Sequence, residues 1–185
     1  MAAMSAPEIV CERVTLTQLD SDDAPALFGY RRDPDVARYQ TWVPHGLDEA
    51  RRFIDGLRSV PFGRPGSWCQ LGIRLHDPGT LVGDVGVHFP ADEPRQVEVG
   101  FTVAPAHQRR GLGAEAVTGL LDHLFGPLRT HRVFASVDPR NEASMGLLRS
   151  IGMRQEAHFR ESLWFKGQWA DDVVFAVLAR EWRDR

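Results

Sequence analysis

Residues 103–114 read Val-Ala-Pro-Ala-His-Gln-Arg-Arg-Gly-Leu-Gly-Ala, and they join the end of an alternating segment to the start of a helical one. The N-terminus of a helix exposes unpaired N–H groups and carries a partial positive charge. Gly111 and Gly113 remove side chains that would hold an anion away from this backbone, and Arg109 and Arg110 add full positive charges. The turn therefore suits a pyrophosphate, although a glycine-rich helix start made only for close packing stays an alternative.

The segments on either side of this turn have different periodicities. Residues 96–104 alternate strictly, which predicts a strand. Its two faces are Val97, Val99, Phe101 and Val103 on one side, and Glu98, Gly100 and Thr102 on the other. Residues 111–128 repeat apolar side chains at helical spacing. The turn is not a dinucleotide fingerprint, because alanine occupies the place of its third glycine, and the chain has no Walker A string.

The rest of the chain predicts a single α/β (α+β) domain spanning residues 1–185. Strands are expected over 9–17, 68–75, 81–89, 96–104, 132–137, 159–165 and 173–178, and helices over 24–30, 47–60, 111–128 and 141–151. Many of the strands follow one another through short turns, so we expect a mixed, mostly antiparallel sheet flanked by helices. The regular alternation of a doubly wound fold is missing.

Composition excludes several classes of protein. The chain has 185 residues, 43% of them hydrophobic and 25% charged, which fits one globular domain. The net charge of −3 gives no domain-wide basic surface for nucleic acid, and no apolar run approaches the roughly 20 residues of a membrane span. Cys11 and Cys69 make no disulfide framework, the histidines are scattered, and a secretory signal is absent. We expect a cytoplasmic protein without a metal.

Two motifs resemble one known family. Residues 108–114 resemble the coenzyme A pyrophosphate loop of the GCN5-related N-acetyltransferases (GNAT), Gln/Arg-x-x-Gly-x-Gly/Ala. Residues 141–153 are similar to Asn-x-x-Ser-x-x-Leu-x-x-x-Gly-Phe, with Met153 in place of phenylalanine. The latter pattern is typical of the branch with the RimJ/RimL-type ribosomal-protein N-terminal acetyltransferases. The resemblance covers nearly the whole chain. It implies a GNAT-like domain with a splayed pair of parallel strands, which transfers acetyl from acetyl-CoA to a primary amine in a ternary complex.

The resemblance also implies which residues contact acetyl-CoA. The contacts would be made by Phe101, Thr102, Val103, Gln108, Arg109, Arg110, Gly111, Leu112, Gly113, Ala114, Asn141 and Ser144. A backbone N–H of residues 101–103 would polarise the thioester carbonyl. Asn141 is also well placed to cap its helix, and Ser144 either donates to the departing thiolate or simply belongs to the first helical turn.

Direct attack requires a neutral amine, so a general base is expected. Glu98 is the first candidate, although a strand carboxylate bonded to its neighbours is an equal alternative. Glu161 is the second, on the late hairpin where the resemblance implies a carboxylate, but the best register puts Leu163 at that place. His88 is a third possibility, although a single histidine in a strand is usually structural.

The acceptor is not fixed by the sequence. The resemblance places loop 39–46, with Trp42 and His45, on the acceptor wall, and Trp68 and Trp164 could join it, unless these aromatic residues belong to the core. A protein N-terminal α-amine and a small amine, such as an amino acid, polyamine or antibiotic, both fit. A non-catalytic acyl-CoA sensor is the alternative function, and a nucleotide-binding enzyme is a weaker one. A homodimer is possible by analogy with relatives.

Overall fold

A computed structural model describes residues 5–184. Its strands are β1 (Ile9–Val10), β2 (Val14–Gln18), β3 (Ser67–Leu75), β4 (Leu81–Phe89), β5 (Gln96–Val103), β6 (Arg132–Val137), β7 (Arg154–Phe165) and β8 (Gln168–Leu178). They form one eight-stranded sheet in the order β1-β2-β3-β4-β5-β6-β8-β7. Every neighbouring pair is antiparallel except β5 and β6. The prediction of a mixed, mostly antiparallel sheet is confirmed; the predicted ends of the domain, residues 1–4 and 185, lie outside the described residues.

Helices cover both faces of the sheet. They are α1 (Ala24–Arg31), α2 (Pro34–Ala37), α3 (Leu47–Arg58), α4 (Leu112–Phe125), α5 (Glu142–Ser150) and α6 (Ala179–Arg183), with 3₁₀ turns at Ser21–Asp23 and Pro105–His107. The four predicted helices are present, with ends shifted by a few residues. The four-residue helix α2 was not among the predicted helices. The Asp33 carboxylate caps α2, since it accepts hydrogen bonds from the N–H groups of Asp35 and Val36 at 3.0 and 3.4 Å.

Two strand predictions differ from the structure. The strand expected over 9–17 is divided into β1 and β2 by a turn in which the Cys11 N–H donates to the Val14 carbonyl at 2.9 Å. The final hairpin is longer than expected, because β7 begins at Arg154 and β8 at Gln168. Most of β7 is exposed, so it lacks the apolar alternation by which a half-buried strand is recognised.

The only parallel pair in the described sheet separates soon after it forms. Residues Gln96, Val97 and Glu98 of β5 pair with Arg132, Val133 and Phe134 of β6. Beyond Glu98, β5 continues beside β4 alone, while β6 continues beside β8. A wedge therefore opens between β5 and β6, and the predicted splayed pair is confirmed.

The alternation in β5 assigns its two faces to different surroundings. Val97 and Val99 are buried in the main core, which also contains the apolar face of α4. Helices α1 and α3 cover the opposite face around a second core, which includes Leu27 and Ile54. Glu98 and Gly100 point to this second face, at the mouth of the wedge.

Candidate active site

A cavity of about 470 Å³ lies where β5 and β6 separate. Its floor includes Gly86 and Gly100, which are directly opposite each other in the β4–β5 register. A Cβ atom at Gly100 would meet nothing within 4 Å, so the floor there is open. Aromatic side chains supply much of the wall: Tyr39, Trp42, Phe53, Trp68, Phe101 and Phe165. The cavity is therefore partly apolar and lies at the wedge.

Glu98 is the last residue of the parallel pairing, and its side chain lines the cavity. Burial raises the pKa of this carboxyl above its ordinary value. The nearby His88 imidazole opposes this shift, whereas the Asp172 carboxylate adds to it. The raised pKa brings Glu98 closer to the neutral range in which a general base works.

A buried ion pair forms the other end of the cavity floor. The Asp84 carboxylate on β4 accepts hydrogen bonds from the guanidinium of Arg31, the amide of Gln70 and, at 2.5 Å, the hydroxyl of Tyr30. The Arg31 Nη1 atom also donates to Gln40 Oε1 at 2.8 Å. Burial, followed by the Asp84 carboxylate, raises the pKa of Tyr30 well above its usual range, so the phenol keeps its proton and acts as a donor.

Sequence reasoning did not identify this ion pair. One signal was present, since Asp84 interrupts the apolar run of residues 81–89. A charged residue is almost never fully buried unless it is paired. The identity of its partner, Arg31 on α1, depends on how the helix packs against the sheet.

The lining of the cavity is acidic. Among the described lining residues, carboxylates come from Asp84, Glu98, Asp138, Asp171 and Asp172, and the one guanidinium comes from Arg31. Asp172 accepts a hydrogen bond from the Ser136 hydroxyl at 2.6 Å. A hydrogen bond from the Glu161 N–H and the nearby His158 ring lower the pKa of Asp171, so this carboxyl stays ionised. The arrangement favours a ligand that arrives with a positive charge.

The turn that the sequence analysis found suited to a pyrophosphate connects β5 to α4 beside the wedge. Its backbone is left-handed at Arg109 (φ 58°) and Gly111 (φ 77°), and α4 begins at Leu112. The loop is fixed from two sides. The Gln108 amide donates to the Val103 carbonyl at 2.9 Å, and the Arg13 guanidinium donates to the Arg110 carbonyl at 2.9 Å. The fixed turn leaves the first N–H groups of α4 without helical acceptors, in the geometry that binds anions.

The beginning of α4 fits tightly between its neighbours. A Cβ at Gly113 would lie 3.0 Å from Leu147 of α5 and 3.1 Å from Val103 of β5. The close-packing interpretation of this glycine is therefore supported, and it is compatible with anion binding at the same turn. At the start of α5, the Asn141 side chain accepts a hydrogen bond from the Ser144 N–H at 3.1 Å, so Asn141 caps this helix while both residues line the cavity.

Comparison with known proteins identifies the family. The model of the acetyltransferase (GNAT) domain matches residues 13–154, which is more than half of the chain. The chain belongs to the GNAT acetyltransferase family. It is 29% identical over 172 residues to the uncharacterized N-acetyltransferase p20 of Bacillus licheniformis, covering 92% of this chain and 96% of the relative. The N-acetyltransferase activity expected from the sequence is thereby confirmed.

Two further similarities concern the fold and one part of the chain. The fold resembles the crystal structure of a GNAT-family acetyltransferase from Bacillus anthracis with a TM-score of 0.85 and 24% identity, covering 95% of this chain and 100% of the other. A shorter match is 30% identical over 84 residues to the ribosomal protein uS5-alanine N-acetyltransferase of Escherichia coli, covering 45% of this chain and 43% of the relative. A RimJ/RimL-like branch is consistent with this match.

The structure brings together only part of the set of site residues predicted for this GNAT domain. Those that line the cavity are Glu98, Phe101, Thr102, Asn141 and Ser144. Val103 and the turn 108–114 lie at the adjoining end of β5 and the start of α4. Their roles in catalysis and cofactor binding stay predictions.

Glu161 occupies a different place from the other predicted catalytic residues. It lies in an irregular part of β7, is exposed, and has a left-handed backbone with φ 46°. Leu163 lines the cavity, as the register argument expected, and Glu161 is not among the lining residues. Glu161 contributes its backbone N–H to Asp171. The geometry therefore favours Glu98 over Glu161 as the base.

Only some residues of the predicted acceptor wall line the cavity. Trp42 and Trp68 line the cavity, and Trp42 is fixed by stacking on Phe53, with ring centroids 4.0 Å apart, and by donating to Glu49 at 3.0 Å. His45 and Trp164 are not among the lining residues. In residues 5–184 no group of three or more His, Cys, Asp and Glu side chains is arranged to hold a metal ion, and no helix is long and apolar enough to cross a membrane.

Proposed function

We propose that this GNAT enzyme transfers the acetyl group of acetyl-CoA to a primary amine by direct attack in a ternary complex. The observation that carries the proposal is the cavity at the wedge, which has Glu98 inside it and the anion-suited turn beside it. A donor bound through its pyrophosphate at the turn would have its arm directed into the same space that an amine enters. Cys11 and Cys69 are not among the residues lining the cavity, in keeping with a route that needs no acyl-enzyme.

The residues at the wedge fit acetyl-CoA. Residues of β5 beyond Glu98 lack pairing with β6, so their backbone groups on that edge are available to the amide groups of a pantetheine arm. One N–H of residues 101–103 would polarise the thioester carbonyl. The N–H groups at the start of α4, with Arg109 and Arg110, would hold the pyrophosphate. The bound donor supplies the activated acetyl group.

Proton transfer is assigned to two side chains of the cavity. An alkyl amine with a pKa of about 10 is mostly protonated at neutral pH, so a base must take a proton before attack. Glu98 is the base because its carboxyl lies in the cavity and has a raised pKa. Ser144, at the start of α5, is the candidate donor to the departing thiolate. Because a thiol has a pKa of about 8.5, the thiolate leaves readily, and the contribution of Ser144 is the smaller one.

Two classes of acceptor stay open, and both share one property. The acidic lining favours an amine that enters as a cation, and the aromatic wall favours an apolar group beside it. A peptide N-terminus and a small alkyl amine both have this chemistry. The Escherichia coli relative is named for acting on an alanine of ribosomal protein uS5, which makes a protein α-amine a reasonable first substrate to test.

Two variants distinguish an enzyme from a non-catalytic sensor of acetyl-CoA. Glu98→Gln and Ser144→Ala are each compared with the wild type for acetyl-CoA affinity by calorimetry and for thiol release with a reactive amine. An enzyme predicts unchanged affinity with much lower turnover in Glu98→Gln and a smaller decrease in Ser144→Ala. Binding of acetyl-CoA without thiol release from the wild type, for any amine, would favour the sensor.

A further inference from the structure

A row of three side chains crosses the sheet at the base of the cavity. In the strand register, Trp68 of β3 is opposite His88 of β4, and His88 is opposite Glu98 of β5. The rings of Trp68 and His88 are stacked, with centroids 4.9 Å apart and planes inclined by 13°. Trp68 and Glu98 line the cavity, while His88 lies between them. The stacked indole therefore fixes the plane of the imidazole beside the proposed base.

The two nitrogens of the His88 ring have different surroundings. Its Nδ1 atom is buried and has no hydrogen-bond partner in the described part of the chain. The same atom lies 3.5 Å from Glu98 Oε2. The His88 side chain as a whole is 26% exposed, so the solvent-accessible part of the ring lies away from Nδ1. The imidazole thus has one edge towards Glu98 and another towards water.

A buried nitrogen without a hydrogen-bond partner is unfavourable, so its position beside the Glu98 carboxylate calls for an explanation. A small movement of the Glu98 side chain brings Oε2 into hydrogen-bond range of Nδ1. The other charged group that faces Glu98 is Asp172, from β8, and it is bonded to Ser136. The Glu98 side chain is itself 25% exposed, towards the cavity that a bound donor and acceptor would fill. In the filled cavity, the partly exposed His88 ring is the neighbour that would still connect Glu98 to water.

We propose that His88 is a positioning residue for Glu98 and carries its proton from the cavity to solvent. This inference rests on the proposed function, with Glu98 as the base. The N–H bond of the acceptor ammonium breaks as an O–H bond forms on Glu98. The O–H bond then breaks as an N–H bond forms at His88 Nδ1, and the imidazolium releases its other proton from Nε2 to water. This leaves His88 protonated at Nδ1, and proton exchange with water after the products leave the cavity restores the Nε2–H form for the next turnover. Glu98 returns to the carboxylate form, and no further reactant is needed.

The test compares two substitutions of His88 with a matched control. His88→Phe keeps a ring against Trp68 but removes both nitrogens, and His88→Ala leaves a space in which free imidazole fits. His76→Phe makes the same exchange at an exposed turn residue outside the cavity. We expect kcat to fall by about tenfold in both His88 variants, which is less than the 10²–10⁴ assigned to general base catalysis itself because Glu98 is still present. The KM for acetyl-CoA should stay unchanged, as should both constants in His76→Phe.

Two readouts separate a relay from a structural role. Because the protonated form of the His88 ring lowers the pKa of Glu98, the acid limb of the kcat profile should move to higher pH in His88→Phe. Added imidazole should restore kcat of His88→Ala in a concentration-dependent way and leave His88→Phe unchanged. A normal kcat in His88→Phe, or a lowered kcat with neither the pH shift nor the rescue, would overturn the proposal.

Failure of the proposed function is detected separately. A wild-type protein that acetylates no amine would refute the function, and the contact between the two side chains is then tested by carboxyl ¹³C NMR. The Glu98 carboxyl should titrate at higher pH in His88→Phe than in the wild type. Identical titrations would show that His88 does not act on Glu98.

Discussion

Removing the Asp84 carboxylate tests the ion pair at the cavity floor. The side chain of Asp84 is 0% exposed and that of Arg31 is 8% exposed, so Asp84→Ala leaves a guanidinium buried without a counter-charge. The substitution also leaves the hydroxyl of Tyr30 and the amide of Gln70 without a hydrogen-bond acceptor. Removing one partner of a buried ion pair lowers the free energy of unfolding by about 3–5 kcal/mol, and the two donors left without an acceptor should bring the loss towards the upper end of this range. For a domain of this size, each kcal/mol lowers Tm by about 2–4 °C, which gives a decrease of roughly 6–20 °C.

The assay is urea and thermal unfolding followed by circular dichroism. The double variant Arg31→Met/Asp84→Leu removes both charges, and we expect it to recover the part of the lost free energy of unfolding that comes from the unpaired guanidinium, while Tyr30 and Gln70 still lack their acceptor. Asp48→Ala is the surface control, because its ion pair with Arg51 is largely exposed and should change stability by less than about 1 kcal/mol. A loss below about 1 kcal/mol in Asp84→Ala, or a double variant less stable than the single one, would refute the reasoning.

Three further outcomes concern the cavity and its surroundings. Glu98→Gln should lower kcat by about 10²–10⁴ without changing the acetyl-CoA Kd, and normal turnover in this variant would exclude Glu98 as the base. Because the pKa of Glu98 is raised, the activity of the wild type should be lost on acidification at a pH above the ordinary pKa range of glutamate. Gly111→Ala places a side chain at φ 77° and 3.2 Å from the Arg13 guanidinium, so calorimetry should show weaker acetyl-CoA binding, and an unchanged Kd would contradict the role of the turn. Lys166→Met removes the hydrogen bonds that the Lys166 ammonium donates to the carbonyls of Ala37 and Arg38, next to loop 39–46 of the predicted acceptor wall. Steady-state kinetics should therefore show a higher KM for the acceptor and an unchanged KM for acetyl-CoA, and an equal rise in both would argue against a role of these bonds on the acceptor side.

Local patterns in the sequence predicted much of the sheet and the faces of β5. The alternation of residues 96–103 correctly separated the buried valines from Glu98, because adjacent side chains in a strand point to opposite faces. No local pattern in the sequence predicted the separation of β5 from β6. This separation depends on where two distant strands stop pairing, and only the resemblance to a family predicted it.

The partners of the site residues could not be predicted in the same way. Asp84 was visible as an acid in an apolar strand, but its pairing with Arg31 is formed between α1 and the sheet. The contact of Glu98 with His88 depends on the β4–β5 register, which the turn at residues 90–95 did not specify. The position of Glu161 was also not predictable, because an irregularity in β7 shifts the register between Phe159 and Leu163 and interrupts the expected alternation.

The most direct measurement is acetyl-CoA-dependent thiol release against a panel of amines, with the mass of each product recorded. The panel contains peptides with N-terminal Ala, Ser and Met, together with polyamines, amino acids and aminoglycosides. We expect one class to gain a single acetyl group with stoichiometric release of coenzyme A, and Glu98→Gln to lose this activity. No acetylated product from a wild-type protein that binds acetyl-CoA would contradict the proposed transfer to these amines.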